Sequence, residues 1–356
     1  MTALALPRFI AGIAACVILL APAAGHACDQ PRQMDGFKTC ADVTKAEQEG
    51  AVVVYSTEPE SLVEQFLGRF HAMFPKIAPT YVGMQGGALY AKLLTERRAH
   101  AYVADILQPA DMGFALDFQK RGGYLNYVSP EMSVYPPQYR SSPEGNWTLG
   151  ALVISGIAYN SSTVAATEAP TSWQDALNPK WSDAISVKDS NSGLQHVTWY
   201  ELRKIYGDAF WQKLSPLKPR ALDSNVQQYD RVVSGQDKVT LTAALAGYLH
   251  YKAKGAPIAF VYPSEGVTAA PQPWGIVADA PHPAAAQLFM DWFLGVPGQT
   301  ADVQVLYNNS LRPDVPPPPG GVKADTLKLL LPTDWNDFQA THPQFVREWD
   351  KITGLR

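Results

Sequence analysis

Runs of apolar and β-branched residues alternate along this chain with segments that carry one apolar helical face. The first run is Ala51–Ser56 (AVVVYS), and short runs at 78–82 and 105–107 follow, each after a predicted helix. Continuous apolar runs are typical of parallel strands that are buried on both faces. A second strand–helix set begins near residue 149, with strands predicted at 184–187, 239–241 and 258–262. The order predicts an α/β protein with helices on both faces of mostly parallel sheets.

The first 27 residues read as a secretory signal peptide. Arg8 precedes a 16-residue apolar stretch at 9–24, and Gly25-His26-Ala27 has the small-x-small pattern of a cleavage site. The alternative is an N-terminal membrane anchor, but the stretch is short for a bilayer span of about 20 residues. We therefore expect an exported mature protein that starts at residue 28, with periplasmic localisation.

Cleavage would leave only two cysteines, Cys28 and Cys40. Exported proteins reside in oxidising compartments, so an even pair that closes a short loop predicts a disulfide that pins segment 28–47. Lipidation of Cys28 is the alternative. It is less favoured because the residue three positions before Cys28 is Gly25 rather than the leucine of a lipobox.

The composition excludes some classes of protein. Hydrophobic residues make up 46% of the chain and charged residues only 17%, which argues against intrinsic disorder. The formal net charge is −4 and there is no long basic run, so a nucleic-acid partner is not expected.

The chain also lacks the sequence patterns of common catalytic sites. It has no G-x-S-x-G, H-E-x-x-H, P-loop or G-x-G-x-x-G motif, and its seven histidines are scattered. We therefore predict no enzymatic activity, no cofactor and no resident metal site. Export, two α/β sets and the missing catalytic pattern favour a ligand-binding protein over a secreted hydrolase, which stays the less favoured alternative.

Several segments, in their order, carry a resemblance to a known family. They are 52–57 (VVVYST), 95–97 before 104–106, 170–181 (PTSWQDALNPKW), 255–258, 262–266, 283–293 with 298–299, and 309–313. Through them the sequence resembles periplasmic solute-binding proteins of ABC importers, in the group of ferric-iron-binding proteins and their organic-anion-binding relatives. The likeness extends over about residues 48–350.

The resemblance implies the type II two-lobed fold. Each lobe is expected to hold a mixed, mostly parallel sheet flanked by helices. Lobe one would comprise 48–148 plus 268–356, and lobe two 149–267. Two crossing segments, near 148–152 and 264–270, would form the hinge. The ligand would lie between the lobes, where strand ends and helix N-termini present backbone N–H groups to an anion.

Iron is the sharpest alternative that the resemblance raises. Ferric-binding relatives use a His, a Glu and two adjacent Tyr, and these positions fall here on Pro59, Ala110, Gly247 and Tyr248. Hard Fe³⁺ requires several anionic oxygen ligands, and one phenolate is insufficient. We therefore expect a small organic or phosphorylated anion, with ferric iron as the alternative.

Candidate ligand-binding residues follow from the expected strand ends and helix starts. Each also has a plain structural reading, as an N-cap, a tight turn, a core tyrosine or a hinge hydrogen bond. The set is Ser56, Thr57, Gln85, Gly86, Gly87, Gln108, Asp111, Ser190, Ser192, Gln195, His196, Tyr229, Tyr248 and Glu265. The polar turn at 190–193 is expected to lead into a helix at 197–206, so that Gln195 and His196 would precede it.

The expected partners are a small-molecule ligand and an inner-membrane ABC permease. A periplasmic sensor that loads a receptor kinase fits the same sequence features. No segment suggests self-association, so a monomer is expected.

Overall fold

A computed structural model describes residues 28, 30–84, 86–109, 111–136, 139 and 145–355. The predicted signal peptide at 1–27 lies outside the described residues. None of the described helices combines the length and the apolar composition needed to cross a lipid bilayer.

Thirteen strands and ten α-helices make up the regular structure of the described residues. The strands are β1 (Arg32–Gln33), β2 (Lys38–Thr39), β3 (Ala51–Ser56), β4 (Ala78–Gly83), β5 (Ile106–Gln108), β6 (Thr148–Asn160), β7 (Ile185–Lys188), β8 (Arg220–Leu222), β9 (Val239–Ala244), β10 (Ile258–Val261), β11 (Val267–Ile276), β12 (Asn309–Ser310) and β13 (Leu329–Leu330). The helices are α1 (Val43–Glu49), α2 (Glu60–Met73), α3 (Gly86–Arg98), α4 (Met112–Lys120), α5 (Gly193–Tyr206), α6 (Asn225–Val233), α7 (Leu245–Ala253), α8 (Pro283–Leu294), α9 (Val296–Ala301) and α10 (Trp335–Thr353).

One mixed sheet holds most of the strands, in the order β4-β3-β5-β11-β6-β9-β7-β8. Strands β3, β4 and β5 are mutually parallel, as are β7, β8 and β9. The two parallel sets are joined by β6 and β11, which pair antiparallel along most of their length. The predicted two-lobed α/β fold is therefore confirmed, with β6 and β11 as the strands shared by both lobes.

Each lobe has its own hydrophobic core. The core of lobe one contains an aromatic group in which the ring of Phe66 contacts Trp274, Phe289, Trp292 and Phe293. Phe66 lies on the buried face of α2, where apolar residues recur at helical spacing. The second core fills lobe two and includes Trp173, Trp199 and Trp211, among other residues. Separate cores allow the lobes to behave as two bodies.

The C-terminal helix α10 packs on lobe two. Its Phe345 and Trp349 belong to the second core, and the ring of Trp349 lies 5.1 Å from that of Trp211. Its N-cap Asp334 accepts hydrogen bonds from the N–H groups of Asn336 and Asp337. The assignment of all of 268–356 to lobe one therefore fails at its end, because α10 buries Phe345 and Trp349 in the core of lobe two, while it also contacts α4 of lobe one.

The N-terminal segment carries the predicted disulfide and is also bound to lobe one. A disulfide joins Cys28 and Cys40, whose Cα atoms are 5.9 Å apart. Buried Asp291 of α8 accepts hydrogen bonds from the Thr39 hydroxyl at 2.6 Å and from the Cys40 N–H at 3.0 Å. Burial raises the pKa of Asp291 to about 6.

Candidate functional site

The strand registers direct the carboxyl ends of the two parallel sets toward each other. Antiparallel pairing of β5 with β11 (Leu107 with Gly275) points the end of β5 at the middle of β11. Pairing of β9 with β6 (Ala244 with Ser155) points the end of β9 at the middle of β6. Because β6 and β11 pair there, both sets end over the same stretch of shared strands. In α/β proteins ligands bind at such strand ends.

We name the two facing strand ends by their last residues. The lobe-one edge comprises Ser56, Gly83 and Gln108, which are in register on three parallel strands. The lobe-two edge comprises the ends of β7, β8 and β9, at Lys188, Leu222 and Ala244.

Three predicted residues meet at the lobe-one edge. Ser56 and Gln108 are fully buried, and the Ser56 hydroxyl donates to Gln108 Oε1 at 2.7 Å. The same oxygen accepts from the Thr57 N–H at 3.2 Å and from its hydroxyl at 3.4 Å. Within the described part of the chain, Gln108 Nε2 has no hydrogen-bond partner. This edge holds its polar groups in fixed positions and keeps one amide donor free.

A buried polar network that the sequence analysis missed lies beside this edge. Glu58 Oε1 accepts from Gln272 Nε2 at 2.5 Å, and Asn308 Nδ2 donates to Gln272 Oε1 at 3.2 Å and to Asp302 Oδ1 at 3.1 Å. Burial raises the pKa of Glu58, and it raises that of Asp302 to about 7. The available signal was Gln272, an amide side chain between two prolines in a mostly apolar strand.

Helix starts occupy the other predicted positions in lobe one. Gly86 and Gly87 are the first residues of α3, and a Cβ on Gly87 would meet only Phe114 Cζ, at 4.0 Å. Gln85 lies outside the described residues. Asp111 is the N-cap of α4 and accepts from the Gly113 N–H at 2.6 Å, with a pKa raised by burial. Asp111 therefore caps a helix, which is the structural role that the sequence analysis gave as an alternative to ligand binding.

In lobe two, α5 begins at Gly193, four residues earlier than predicted. Ser192 is its N-cap and accepts from the N–H of Gln195 at 3.3 Å, so Gln195 and His196 lie inside the first turn rather than before it. The hydroxyl of buried Ser190 donates to Asp350 of α10 at 2.5 Å. The start of α5 was hard to predict because Gly193, Gln195 and His196 interrupt the apolar helical pattern there.

His196, a candidate ligand contact, lies in the core of lobe two. It is 1% exposed, its ring stacks between Phe338 and Phe345 of α10, and Nε2 lies 3.1 Å from the Thr341 hydroxyl. Burial lowers its pKa to about 3, so the imidazole stays neutral at physiological pH. The sequence could not anticipate this contact, because α10 was expected on lobe one.

Tyr229 and Glu265 also serve the fold. Tyr229 is 1% exposed, and its hydroxyl donates to the carbonyl of Ala244. The Glu265 carboxylate accepts from the Trp173 N–H at 3.0 Å and from the Tyr206 hydroxyl. These contacts favour the structural reading for both residues. Tyr248 is half-buried on α7, with its ring 5.3 Å from that of Phe260, and burial raises its pKa.

Comparisons with known proteins identify the family. A family model described as bacterial extracellular solute-binding protein matches residues 102–316, which is more than half of the chain. The chain belongs to this family. The family supports the predicted binding role over the hydrolase, and its extracellular setting agrees with the predicted export.

Relatives of this solute-binding protein are distant in sequence. An uncharacterized protein of Haemophilus influenzae is 22% identical over 334 residues, covering 85% of this chain and 91% of that protein. The periplasmic binding protein AfuA from Actinobacillus pleuropneumoniae, solved with fructose-6-phosphate, has a TM-score of 0.75 at 20% identity and covers 86% of this chain and 99% of AfuA. Iron-bound HitA from Pseudomonas aeruginosa has a TM-score of 0.71 at 17% identity, with 85% and 99% covered. These structures share the two-lobed fold.

Three of the four positions that the resemblance aligns with iron ligands carry no ligand side chain in this solute-binding protein. Pro59 is the N-cap of α2 and has no ligand atom, while Ala110 lies outside the described residues. A Cβ on Gly247 would lie 2.3 Å from Cε2 of Tyr229, so a tyrosine there would collide with the core. Among the residues described, no group of three or more His, Cys, Asp or Glu side chains is placed to hold a metal ion.

Proposed function

We propose that this protein is the solute-binding component of an ABC importer in the periplasm. It captures a small organic or phosphorylated anion between its lobes and delivers it to an inner-membrane permease. The facing arrangement of the two strand edges carries this proposal. Closure is a hinge motion about β6 and β11, driven by ligand contacts to both lobes.

The preference for an anion rests on the helix N-termini near the edges. Helix α7 follows directly from β9, and its N-cap Ala244 offers no side-chain oxygen to the first N–H groups. Helix α3 begins with two glycines, and the space beside Gly87 is open. Helix N-termini of this kind favour negative oxygens. AfuA, whose solved structure contains fructose-6-phosphate, supports the same class of ligand.

A thermal-shift screen of matched anionic and neutral compounds tests the proposal. We expect fructose 6-phosphate, inorganic phosphate or citrate to stabilise the protein, and fructose to leave it unchanged. A ligand specific for the folded protein contributes about 2.7 kcal/mol at a hundredfold excess over Kd, a shift of a few degrees. Stabilisation by neutral or cationic compounds alone would refute the anion preference.

A glycine pair supplies the matched control for this screen. Gly87→Val fills the open space at the start of α3 and is expected to reduce the ligand-induced shift. Gly68→Val adds the same side chain to an exposed helical position of α2, where a Cβ meets nothing within 4 Å. It is expected to keep the full ligand shift. Because valine has a higher helix propensity than glycine, neither variant is expected to lower the unliganded melting temperature through helix propensity.

Ferric iron is the rival ligand, since the fold is shared with iron-bound HitA. We expect no visible tyrosinate-to-iron absorption band on addition of ferric citrate, because Tyr248 alone offers a phenolate among the aligned positions. A strong band that is lost in Tyr248→Phe would reverse this preference.

A further inference from the structure

The lobe-two edge contains a buried lysine without a carboxylate partner. Lys188 ends β7 and is 5% exposed, and its Nζ donates to the backbone carbonyl of Asp223. Within the described ranges, Lys188 forms no ion pair. Buried lysines are rare unless they are paired, because an uncompensated ammonium is costly to desolvate. No described carboxylate therefore lies close enough to form an ion pair with this ammonium.

The groups around Lys188 leave its charge only partly compensated. Asp189 directly follows Lys188 at the end of β7, and Asp223 follows the end of β8. Asp350 of α10 accepts a hydrogen bond from nearby Ser190. The attraction of Asp189 and Asp223 acts to raise the lysine pKa, but burial outweighs it and lowers the pKa to about 8. An added anion would offset this penalty.

Two further polar groups at the same edge lack partners. Gln195 Oε1 accepts from the Lys188 N–H at 3.3 Å, and the Nε2 of this fully buried amide has no partner among the described residues. The hydroxyl of Thr242 on neighbouring β9 is likewise buried and unpartnered in the described chain. Thr242 has φ +54°, a strained conformation for a β-branched residue, and lies where a bulge interrupts pairing with β6. Strain and unpaired polar groups concentrate at functional sites.

We infer that Lys188 is the charged contact for the anionic group of the solute, with the Gln195 amide as a neighbouring donor. This inference rests on the proposed function and narrows it to solutes with a phosphate or carboxylate group. Lobe one then holds the solute through neutral donors, and lobe two supplies the positive charge. Its Nζ lies beside the Asp223 carbonyl, directly after the end of β8, so in this proposal the solute approaches the ammonium from the side where the strands of lobe two end.

Isothermal titration calorimetry of Lys188→Met tests the contact. Fructose 6-phosphate, inorganic phosphate and citrate serve as probes, and the variant is expected to lose at least about tenfold in affinity for the anions that wild type binds. Lys180→Met is the matched control. Lys180 also lies in lobe two, but it is exposed and donates to the Glu168 carbonyl, so its loss should leave affinity unchanged.

Proton uptake provides a readout that a purely structural lysine would not change. At pH 8 about half of the Lys188 side chains are neutral, and a bound anion raises the pKa. Binding to wild type should therefore take up a fraction of a proton, measured as a dependence of the binding enthalpy on the ionisation enthalpy of the buffer. Lys188→Met should show no such uptake.

The outcomes separate the inference from the proposed function. If wild type binds an anion and Lys188→Met binds it equally well, the inference is wrong and the proposed function stands. If no anion binds wild type, both fail. The unliganded proteins give an independent test: a residue kept for binding at the expense of stability predicts that Lys188→Met melts no lower than wild type. A melting temperature several degrees lower would make Lys188 structural and overturn the inference.

Discussion

The two facing edges end parallel strands in the same way, but they treat their polar groups differently. At the lobe-one edge, Ser56 and Thr57 share the Gln108 Oε1 acceptor, and Gln108 Nε2 has no partner among the described residues. At the lobe-two edge, Lys188 has no ion-pair partner in the described chain, and Gln195 and Thr242 each keep an unpaired polar atom there. The polar groups of the lobe-one edge are thus mostly hydrogen-bonded without ligand, whereas the lobe-two edge holds a buried ammonium without an ion-pair partner.

This difference suggests how the work of binding is divided. A satisfied edge costs little to keep in place and presents a fixed shape to the solute. An unsatisfied edge lowers the stability of the unliganded protein and gains most when an anion arrives. Lobe two is therefore expected to dominate affinity for charge, and lobe one to dominate the shape of the solute that fits.

The largest expected stability effect tests whether α10 belongs to lobe two. Trp349→Ala removes a fully buried indole that packs on Trp211 and donates to the Lys188 carbonyl at 2.8 Å. We expect a loss of about 3–5 kcal/mol in the free energy of unfolding, measured in urea. Arg347→Ala, on the exposed face of the same helix, should change it by less than about 0.5 kcal/mol. Equal effects would refute this assignment.

A smaller effect on the free energy of unfolding tests the hydrogen-bond network of the lobe-one edge. Gln108→Leu removes the acceptor shared by Ser56 and Thr57 and should cost about 1–3 kcal/mol, because buried donors lose their partner. Ser56→Ala removes one of those donors and should cost less. Urea unfolding of the two variants and their double mutant gives the coupling energy. Strictly additive losses would mean that the lobe-one edge is not a connected network.

The smallest expected effect is a change in how the free energy of unfolding depends on pH below neutrality. His196 has a folded pKa of about 3, so the unfolded chain binds a proton between pH 3 and 6.5 that the folded protein does not. Its contribution to stability is therefore lost as pH falls through this range. Asp302 has a folded pKa of about 7, so its folded state binds the extra proton and its contribution is lost as pH rises from 4 to 7.

Two variants separate these opposing contributions. His196→Phe should make the pH dependence of unfolding less steep in the acid direction, and Asp302→Asn should change it in the opposite sense. Urea unfolding of each variant at several pH values between 4 and 7 measures both. A shift of the same sign in both variants would contradict the assigned protonation states.

Local patterns predicted the fold well because each strand and helix is marked by its own residues. The run at Ala51–Ser56 and the apolar face of α2 follow from neighbouring side chains, whereas the crossing segments came from the family resemblance. Helix α10 lies in the segment assigned to lobe one, but its position depends on contacts with α5 that are distant in sequence. Periodicity shows that a helix exists and does not show which core receives it.

The candidate site was harder to predict for the same reason. Ser56 and Gln108 were found because strand ends can be located from the sequence. Lys188 was overlooked because a lysine at the end of a strand reads as a solvated residue until its burial is known. For His196 and Tyr229 the sequence left ligand contact and a structural role open, and only the packed structure shows the contacts that His196 Nε2 and the Tyr229 hydroxyl make inside lobe two.

The placement of α10 has a practical consequence for measuring the molecule at work. The segment after Cys28 is fixed to lobe one through Asp291, whereas Leu355, next to the last residue of the sequence, follows a helix that packs in the core of lobe two. Fluorophores attached near Cys28 and near Leu355 would therefore be carried by different lobes. Energy transfer between them would report each opening and closing event in single molecules, without any label in the cleft.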